Sequence, residues 1–354
     1  MKTLKDITQE GYEKVVYCSD SGTGLKAIIA IHSTTLGPSL GGCRMWDYKS
    51  EEEAIFDVLR LSKGMSYKAA IAGLKLGGGK SVIIGDSKIN KSKELFESFG
   101  EFVHTLNGKY ITAEDVGTTE DDMETVKTRT NHVTGISKLN GGSGDPSPVT
   151  AYGTYVGIKA SVEHKLNINS LEGLKVVVQG VGNVGKHLIG HLCNDGAEVY
   201  INDIDLDRLE DISKKYNVNI IKTKDLYDFE GDIYAPCALG ATINDLTIDR
   251  LKYSIVAGAA NNILLDAKKH GVELMKKGIL FAPDYVINAG GLINVYHELT
   301  GYDEDKVKIE TEKIHNTLLD IYKVSEDYGI STSKAASRLA KQIIQNNHKL
   351  TSTV

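Results

Sequence analysis

Proline and tryptophan are scarce in this chain, five and one in 354 residues. With so little proline, neither a collagen-like repeat nor a proline-rich linker is in play. Cysteine is sparse too. Cys18, Cys43, Cys193 and Cys237 lie far apart and form no CxxC pair. A disulfide framework or zinc ribbon is thereby disfavoured, and reduced thiols in the cytoplasm are the simplest reading. No block of one charge stands out, and 41 basic against 47 acidic residues leave a net of −6. Nucleic acid therefore has no electrostatic footprint here. Nor do Trp46 and the 17 tyrosines form a stripe interleaved with lysines, as a single-strand platform would. No stretch approaches the ~18 apolar residues of a membrane span, and the N-terminal MKTLKDITQEGYEK lacks a signal-peptide core. A cytoplasmic protein with no membrane or nucleic-acid partner is expected. What the chain does have is glycine: 36 of them, about one residue in ten against roughly 7% on average. Glycine without proline implies an ordered backbone that turns tightly or approaches something closely.

The length is that of roughly two domains. Tyr12–Cys18 and Leu25–His32, separated by Ser-Asp-Ser-Gly-Thr-Gly, read as a hairpin. Ser50 with Glu53 has the spacing of a capping box, and apolar residues follow at helical spacing. Strand-like Lys80–Ile84 and Tyr110–Ala113 alternate with helical Lys91–Leu106 and Thr118–Lys127. The segment Gly135–Pro148, with four glycines and two prolines, reads as a hinge or loop. From Leu174 the pattern is β-α-β, and apolar segments then alternate with helices: Ile233–Ala235, Ile255–Ala257 and Ile279–Ala282. That is the pattern of a doubly wound parallel sheet.

Gly180-Val181-Gly182-Asn183-Val184-Gly185 is a GxGxxG directly after a strand and at the start of a helix. Asp203 ends the next strand, 23 residues after Gly180. In that context the pattern is a dinucleotide fingerprint. Gly180 permits the turn, Gly182 lets backbone approach a pyrophosphate, and Gly185 lets helix and strand pack closely. The helix N-terminus offers free N–H groups to phosphate. Asp203 suits ribose hydroxyls and would repel a 2′-phosphate, which favours NAD over NADP.

A second glycine concentration runs from Leu36 to Lys80. Gly79-Lys80-Ser81 resembles the end of a P-loop, but the required earlier glycine is Leu74 and a strand follows instead of a helix. Lys68 and Lys80 stand among small residues. Most lysines are surface residues, and these two could be. Lys80, partly desolvated near a second ammonium, could instead act as a base, while Lys68 stays charged to hold a carboxylate. Asp115 follows a strand and is as readily a cap or turn residue as a proton carrier.

The segments LGPSLGGCRMW, LRLSKGMSYKAA, GGGKSVIIGD, LNGKYITAEDVGTT, GDPSPVTAYG, VQGVGNVG, DIYAPCALGATIN and APDYVINAGGLINV occur in this order along the chain. Together they resemble the Glu/Leu/Phe/Val family of amino-acid dehydrogenases over essentially the whole length. ITAEDVGTT and PSPVTAYG point to its leucine-acting branch. The resemblance implies two α/β domains with a deep cleft between them. Residues 1–135, completed by C-terminal helices at about 325–354, would bind substrate and oligomerise, and 136–324 would form a Rossmann-type NAD domain. It also implies NAD-dependent reversible oxidative deamination of a branched-chain L-amino acid, leucine as well as valine or isoleucine, to the 2-oxo acid and ammonia. Self-association as an octamer or a dimer follows in the same way. Lys68 matches the lysine that holds the substrate carboxylate, Lys80 the one that activates water, and Asp115 the proton relay. Gly41 and Gly42 would turn backbone N–H groups to substrate. Asn261, Asn262 and Asn288 fall in segments lining the nicotinamide end.

Leu40, Ala113, Leu292 and Val295 match the family's side-chain pocket and are all apolar or small. No basic residue there could receive a γ-carboxylate, and burying one unpaired costs several kcal/mol, so glutamate is disfavoured. Position 292 is leucine where the leucine-acting branch usually has valine, and aromatic amino acids remain the alternative. A non-catalytic NAD-binding sensor is the other one. His187, His191 and Cys193 have spacing that can bind zinc, but no further ligand is spaced for it and no metal is expected.

Overall fold

The computed structural model describes residues 11–351. The chain forms two compact α/β units. The first runs to Asp145 and takes in Val295–Tyr302 and the chain from Ala340 on; the second comprises Pro146–Asn294 and Asp303–Leu339.

In the first unit, strands β1 (Lys14–Asp20) and β2 (Leu25–Ser33) form the expected antiparallel hairpin. Three further strands follow: β3 (Ser39–Trp46), β4 (Gly77–Ile84) and β5 (Tyr110–Glu114). The sheet order is β1-β2-β4-β3-β5, with β3 parallel to both β4 and β5. Helix α1 (Glu51–Ile71) covers one face through Ala54, Ile55, Val58 and Leu59 against Ile28, Ala30 and Val82. Helices α2 (Lys93–His104) and α3 (Glu120–Lys127) cover the other through Phe96, Phe99, Met123 and Val126.

Strand β3 was not expected, and β4 begins three residues before the Lys80 start that the apolar pattern suggests. Glycine hides both from a propensity reading. A Cβ on Gly41 would sit 1.7 Å from the carbonyl oxygen of Gly79, one on Gly77 1.9 Å from that of Ser33, and one on Gly78 2.0 Å from the backbone nitrogen of Ser66 in α1. The glycines are what let strand meet strand and helix meet sheet. The Ser50 signal is half correct: its side chain caps α1 by accepting from the Glu53 N–H at 3.3 Å, but Glu53 returns to Lys49. The complete capping box belongs to Thr119 and Asp122.

The second unit starts with α4 (Ser147–Leu166). Then come β6 (Lys175–Gln179), α5 (Asn183–Asn194), β7 (Glu198–Asn202), α6 (Leu206–Tyr216) and β8 (Asn219–Ile220). Strands β9 (Gly231–Pro236) and β10 (Tyr253–Val256), helix α7 (Ala267–Lys276) and strand β11 (Leu280–Phe281) follow. All six strands are parallel, in the order β11-β10-β9-β6-β7-β8. This is the Rossmann order, and its reversal point lies between β6 and β9. The remaining helices are α8 (Asp284–Ile287), α9 (Gly290–Glu298), α10 (Glu304–Glu312), α11 (Ile314–Tyr328) and α12 (Thr332–Thr351). Among the described residues no helix is long and apolar enough to cross a membrane.

Candidate active site

In the first unit, β3, β4 and β5 bring three chain segments into register. Gly42 of β3 pairs with Ala113 of β5, and Leu40 pairs with Gly78 of β4. Lys80 sits mid-strand in β4, 6% exposed. A lysine that deep needs a charged partner. It has one: Nζ lies 2.5 Å from Oδ2 of Asp115, the first residue after β5. A Cβ on Gly42 would stand 2.7 Å from the Asp115 Cβ, so glycine at 42 leaves room for the aspartate beside β3.

The Asp115 carboxylate caps no helix. The turn is held by Thr118, whose N–H donates to the Asp115 carbonyl and whose hydroxyl accepts the Asp115 N–H. That leaves the carboxylate for ion pairing. Arg44 Nε also donates to Oδ2, at 3.2 Å. Burial alone would raise the pKa of Asp115, but Lys80 and Arg44 overcome it and hold it down at about 2. The sequence reading set a second ammonium beside Lys80. The structure sets a carboxylate there, with Arg44 as the second cation on the same oxygen.

Lys68 lies in the last turn of α1, half-buried. That turn is seated on the sheet by the contact of Ser66 with Gly78, two residues before Lys80. Ser66 Oγ also lies 2.8 Å from Nδ1 of buried His32, whose pKa burial and Lys63 depress to about 4. Leu40 and Ala113 are buried apolar positions of the same sheet. Gly41 is locked: its carbonyl accepts the buried Tyr110 hydroxyl at 2.6 Å. Val295 lies on α9 in this unit, and Leu292, one turn earlier on that helix, belongs to the second.

In the second unit, Gly180 takes φ +99° to leave β6, a conformation that favours glycine. A Cβ on Gly185 would lie 2.0 Å from the Gly180 carbonyl oxygen, so α5 can pack on the turn only with glycine there. Gly182 differs. It is the N-cap of α5, no side chain caps the helix, and a Cβ there would meet nothing within 4 Å. Space and free N–H groups at the start of a 12-residue helix fit a phosphate. Val181 is buried, Val184 is half-buried and Asn183 is exposed on the first turn. Asp203 braces this turn: Oδ2 accepts the Val181 N–H at 2.7 Å and Oδ1 that of Asp205 at 3.0 Å.

The loop after β9 joins the turn through Cys237 N–H, 2.7 Å from the Gln179 carbonyl. Beyond β10, Asn288 Nδ2 donates to Asn261 Oδ1 at 2.7 Å and to the Ala259 carbonyl at 3.1 Å. Asn262 has φ +53°, and its carbonyl accepts the Ala241 N–H at 2.7 Å. These groups lie beyond the carboxyl ends of β6, β9 and β10, where doubly wound sheets bind ligands.

His191 stacks on Tyr155 at a centroid distance of 5.4 Å. Among the described residues the metal-capable grouping is Asp245, His270 and Glu273 instead. Both ring nitrogens of His270 are in use there, Nδ1 by the Asp266 N–H and Nε2 by Asp245, which makes it a clamp on the start of α7.

Residues 13–132 match the profile of the Glu/Leu/Phe/Val dehydrogenase dimerisation domain, and 141–205 and 202–351 that of the Glutamate/Leucine/Phenylalanine/Valine dehydrogenases. The chain belongs to this dehydrogenase family. It is 50% identical to a leucine dehydrogenase of Thermoactinomyces intermedius, over 100% of this chain and 96% of that one. To a leucine dehydrogenase of Bacillus subtilis it is 48% identical, over 99% and 100%. The crystal structure of L-tryptophan dehydrogenase from Nostoc punctiforme superposes with a TM-score of 0.89 at 44% identity, covering 98% of this chain and 100% of that one. A hetero-hexameric glutamate dehydrogenase from Thermus thermophilus shares the fold at a TM-score of 0.79 and 19% identity, over 96% and 90%.

Three residues beside the site carry no signal in the sequence. Arg44, Asp57 and Tyr48 form one network: Arg44 NH1 lies 2.9 Å from Asp57 Oδ2, and the Tyr48 hydroxyl donates to the same oxygen at 2.8 Å. Arg44 stood in the GGCR motif, but nothing in its spacing pairs it with an aspartate 71 residues on.

Proposed function

We propose that this dehydrogenase oxidatively deaminates branched-chain L-amino acids with NAD, releasing the 2-oxo acid, ammonia, NADH and a proton. The observation that carries this is the ion pair of buried Lys80 with Asp115 in a chain about half identical to leucine dehydrogenases along its whole length. Retention of that pair also weighs against a sensor that binds NAD without turnover.

The first unit holds the substrate and self-associates as a dimer or octamer; the second holds NAD. The protein works in the cytoplasm, in keeping with its four unpaired thiols. Lys68 holds the substrate carboxylate, and the backbone of Gly41 and Gly42 lies along it. Bound NAD would supply the acceptor for the hydride that leaves the substrate α-carbon. Gly180–Gly185, with Val181, Asn183 and Val184, would hold its pyrophosphate, Asp203 its ribose, and Asn261, Asn262 and Asn288 its nicotinamide end. Asp115 takes a proton from the amino group beforehand and returns one to the departing ammonia. Lys80, after giving up its own ammonium proton, draws the proton from the water that attacks the imine carbon. Leu40, Ala113, Leu292 and Val295 are the apolar residues assigned to the substrate side chain.

Aromatic substrates are the second reading, favoured by the 44% identity to an L-tryptophan dehydrogenase. A methylene of pocket space shifts preference by only ~1–3 kcal/mol, so rates decide. Initial rates at 340 nm with NAD and leucine, valine, isoleucine, phenylalanine or tryptophan at mildly alkaline pH test both. The expected result is highest kcat/KM for an aliphatic substrate. Higher values for an aromatic one would replace the first reading, and no NADH with any of them would remove the enzyme.

A further inference from the structure

The proton relay is gripped from outside the proposed reaction groups. Asp115 meets two cations on one oxygen, Lys80 from β4 and Arg44 from β3. Lys80 has chemistry to do in the proposed reaction; Arg44 does not. Its guanidinium instead spans two carboxylates, Nε on Asp115 and NH1 on Asp57. Asp57 belongs to α1 and is itself fixed by the Tyr48 hydroxyl on Oδ2 and by Arg60 on Oδ1 at 2.9 Å. Arg44 and Asp57 are mostly buried, their side chains 22% and 14% exposed.

We infer that Arg44, anchored by Asp57 and Tyr48, is a positioning residue that sets both the aim and the acidity of the Asp115 carboxylate. This rests on the amino-acid dehydrogenase reading. A carboxylate on a single side-chain bond can swing, and its oxygens exchange places. Two donors on Oδ2, one from a planar fork that is held at its far end, remove that freedom. Proximity effects make such aim worth large rate factors. The fork also links α1, which carries Lys68, to the relay. Tilting α1 would thus disturb the carboxylate grip and the proton relay together.

The charges facing Asp115 are Lys80 and Arg44, with Glu114 beside it on the chain and the Val116 N–H donating to it. Asp57 lies behind Arg44, and Cys43, Tyr48 and Tyr110 also feel the Asp115 charge. Removing a cation from this group raises the pH at which its neighbours lose their protons. The acid limb of kcat/KM therefore moves up when Arg44 is lost.

The test compares Arg44→Met, Arg44→Lys and Asp57→Asn with the parent, using L-leucine and NAD, after the parent itself has shown turnover. A parent without activity overturns the dehydrogenase reading and with it this one. With an active parent, Arg44→Met is expected to lose at least tenfold in kcat, with KM for leucine changed less than threefold and NADH binding by fluorescence unchanged. Its acid limb should rise by about one pH unit, the scale on which a neighbouring charge acts. Arg44→Lys keeps the charge but cannot span two carboxylates, so it should keep the parental limb and still lose kcat. Asp57→Asn keeps Arg44 charged but loosens it, and should fall in kcat alone; it also decides the matter if Arg44→Met fails to fold. Arg129→Gln, which removes a surface cation paired with Glu97, controls for net charge and should match the parent. A kcat within twofold of the parent in both Arg44→Met and Asp57→Asn would overturn the inference. So would a loss shared equally by NADH binding, or an acid limb that does not move in Arg44→Met.

Discussion

The two glycine concentrations look alike in the sequence and work in opposite ways. In β3 and β4 the missing side chains are replaced by the protein itself. Cβ atoms on Gly41, Gly77 and Gly78 would fall within about 2 Å of backbone atoms of Gly79, Ser33 and Ser66. The close approach that these missing side chains permit is one of the chain to itself. In the turn after β6, Gly180 and Gly185 serve the chain in the same way, but the space beside Gly182 contains no protein atom within 4 Å. A glycine count therefore says that something comes close; only the geometry says whether it is protein. In the first region the proposed chemistry rests with side chains that the glycines let through, Lys80 and Asp115.

The sharpest way to separate the regions is to disable one without touching the other. Lys80→Ala should lower kcat by about 10³-fold, within the range for loss of a general base, and leave NADH binding at the parental value. Steady-state rates with a fluorescence titration of NADH check this; near-normal turnover would remove the proposed role of Lys80. Asp115→Asn should behave alike.

Next in size are the packed glycines. Gly78→Ala forces a methyl group into the α1 backbone and should destabilise the protein by about 3 kcal/mol or more, the upper part of the overpacking range. Denaturant melts followed by Trp46 fluorescence read it in the first unit, since Trp46 is the chain's one tryptophan. A parental melt would mean the helix moves aside freely.

Acid should also strike the first unit. His32 is held neutral, its pKa depressed from 6.5 to about 4. The unfolded chain takes up this proton first, so stability is full above pH 6.5 and is lost as pH falls toward 4. The loss comes to about 3 kcal/mol. Asp115, depressed to about 2, adds a further loss of about 2 kcal/mol between pH 4 and 2. Trp46-detected denaturant melts at stepped pH test the first window; a flat midpoint from pH 7 to 5 would contradict it. Smallest is Asp203→Ser, which should narrow NAD-over-NADP discrimination by about tenfold, roughly one lost charge interaction. Unchanged discrimination would mean that Asp203 only braces the Val181 N–H.

Legibility followed how local the physics was. The β6 turn, α5 and Asp203 could be read because each rests on a few neighbouring residues with a fixed geometry. So could Lys80 and Asp115, although through family resemblance: their pairing at 2.5 Å joins two strands that do not touch in sequence. The Arg44–Asp57 network left no trace, because it joins β3, α1 and the end of β5, and no spacing rule reaches across parallel strands. Strand β3 escaped because glycine carries no strand propensity of its own; its place is set by what packs around it.

The space at Gly182 bears the central claim, that the second glycine region keeps room for a cofactor where the first keeps room for the chain. The direct measurement is the NADH affinity of Gly182→Ala, taken beside its thermal melt. The added methyl meets no protein atom, so the melting temperature should stay at the parental value while NADH binding weakens at least tenfold, the equivalent of about 1.4 kcal/mol. Parental NADH affinity, or a melt lowered as far as that of Gly78→Ala, would contradict the account.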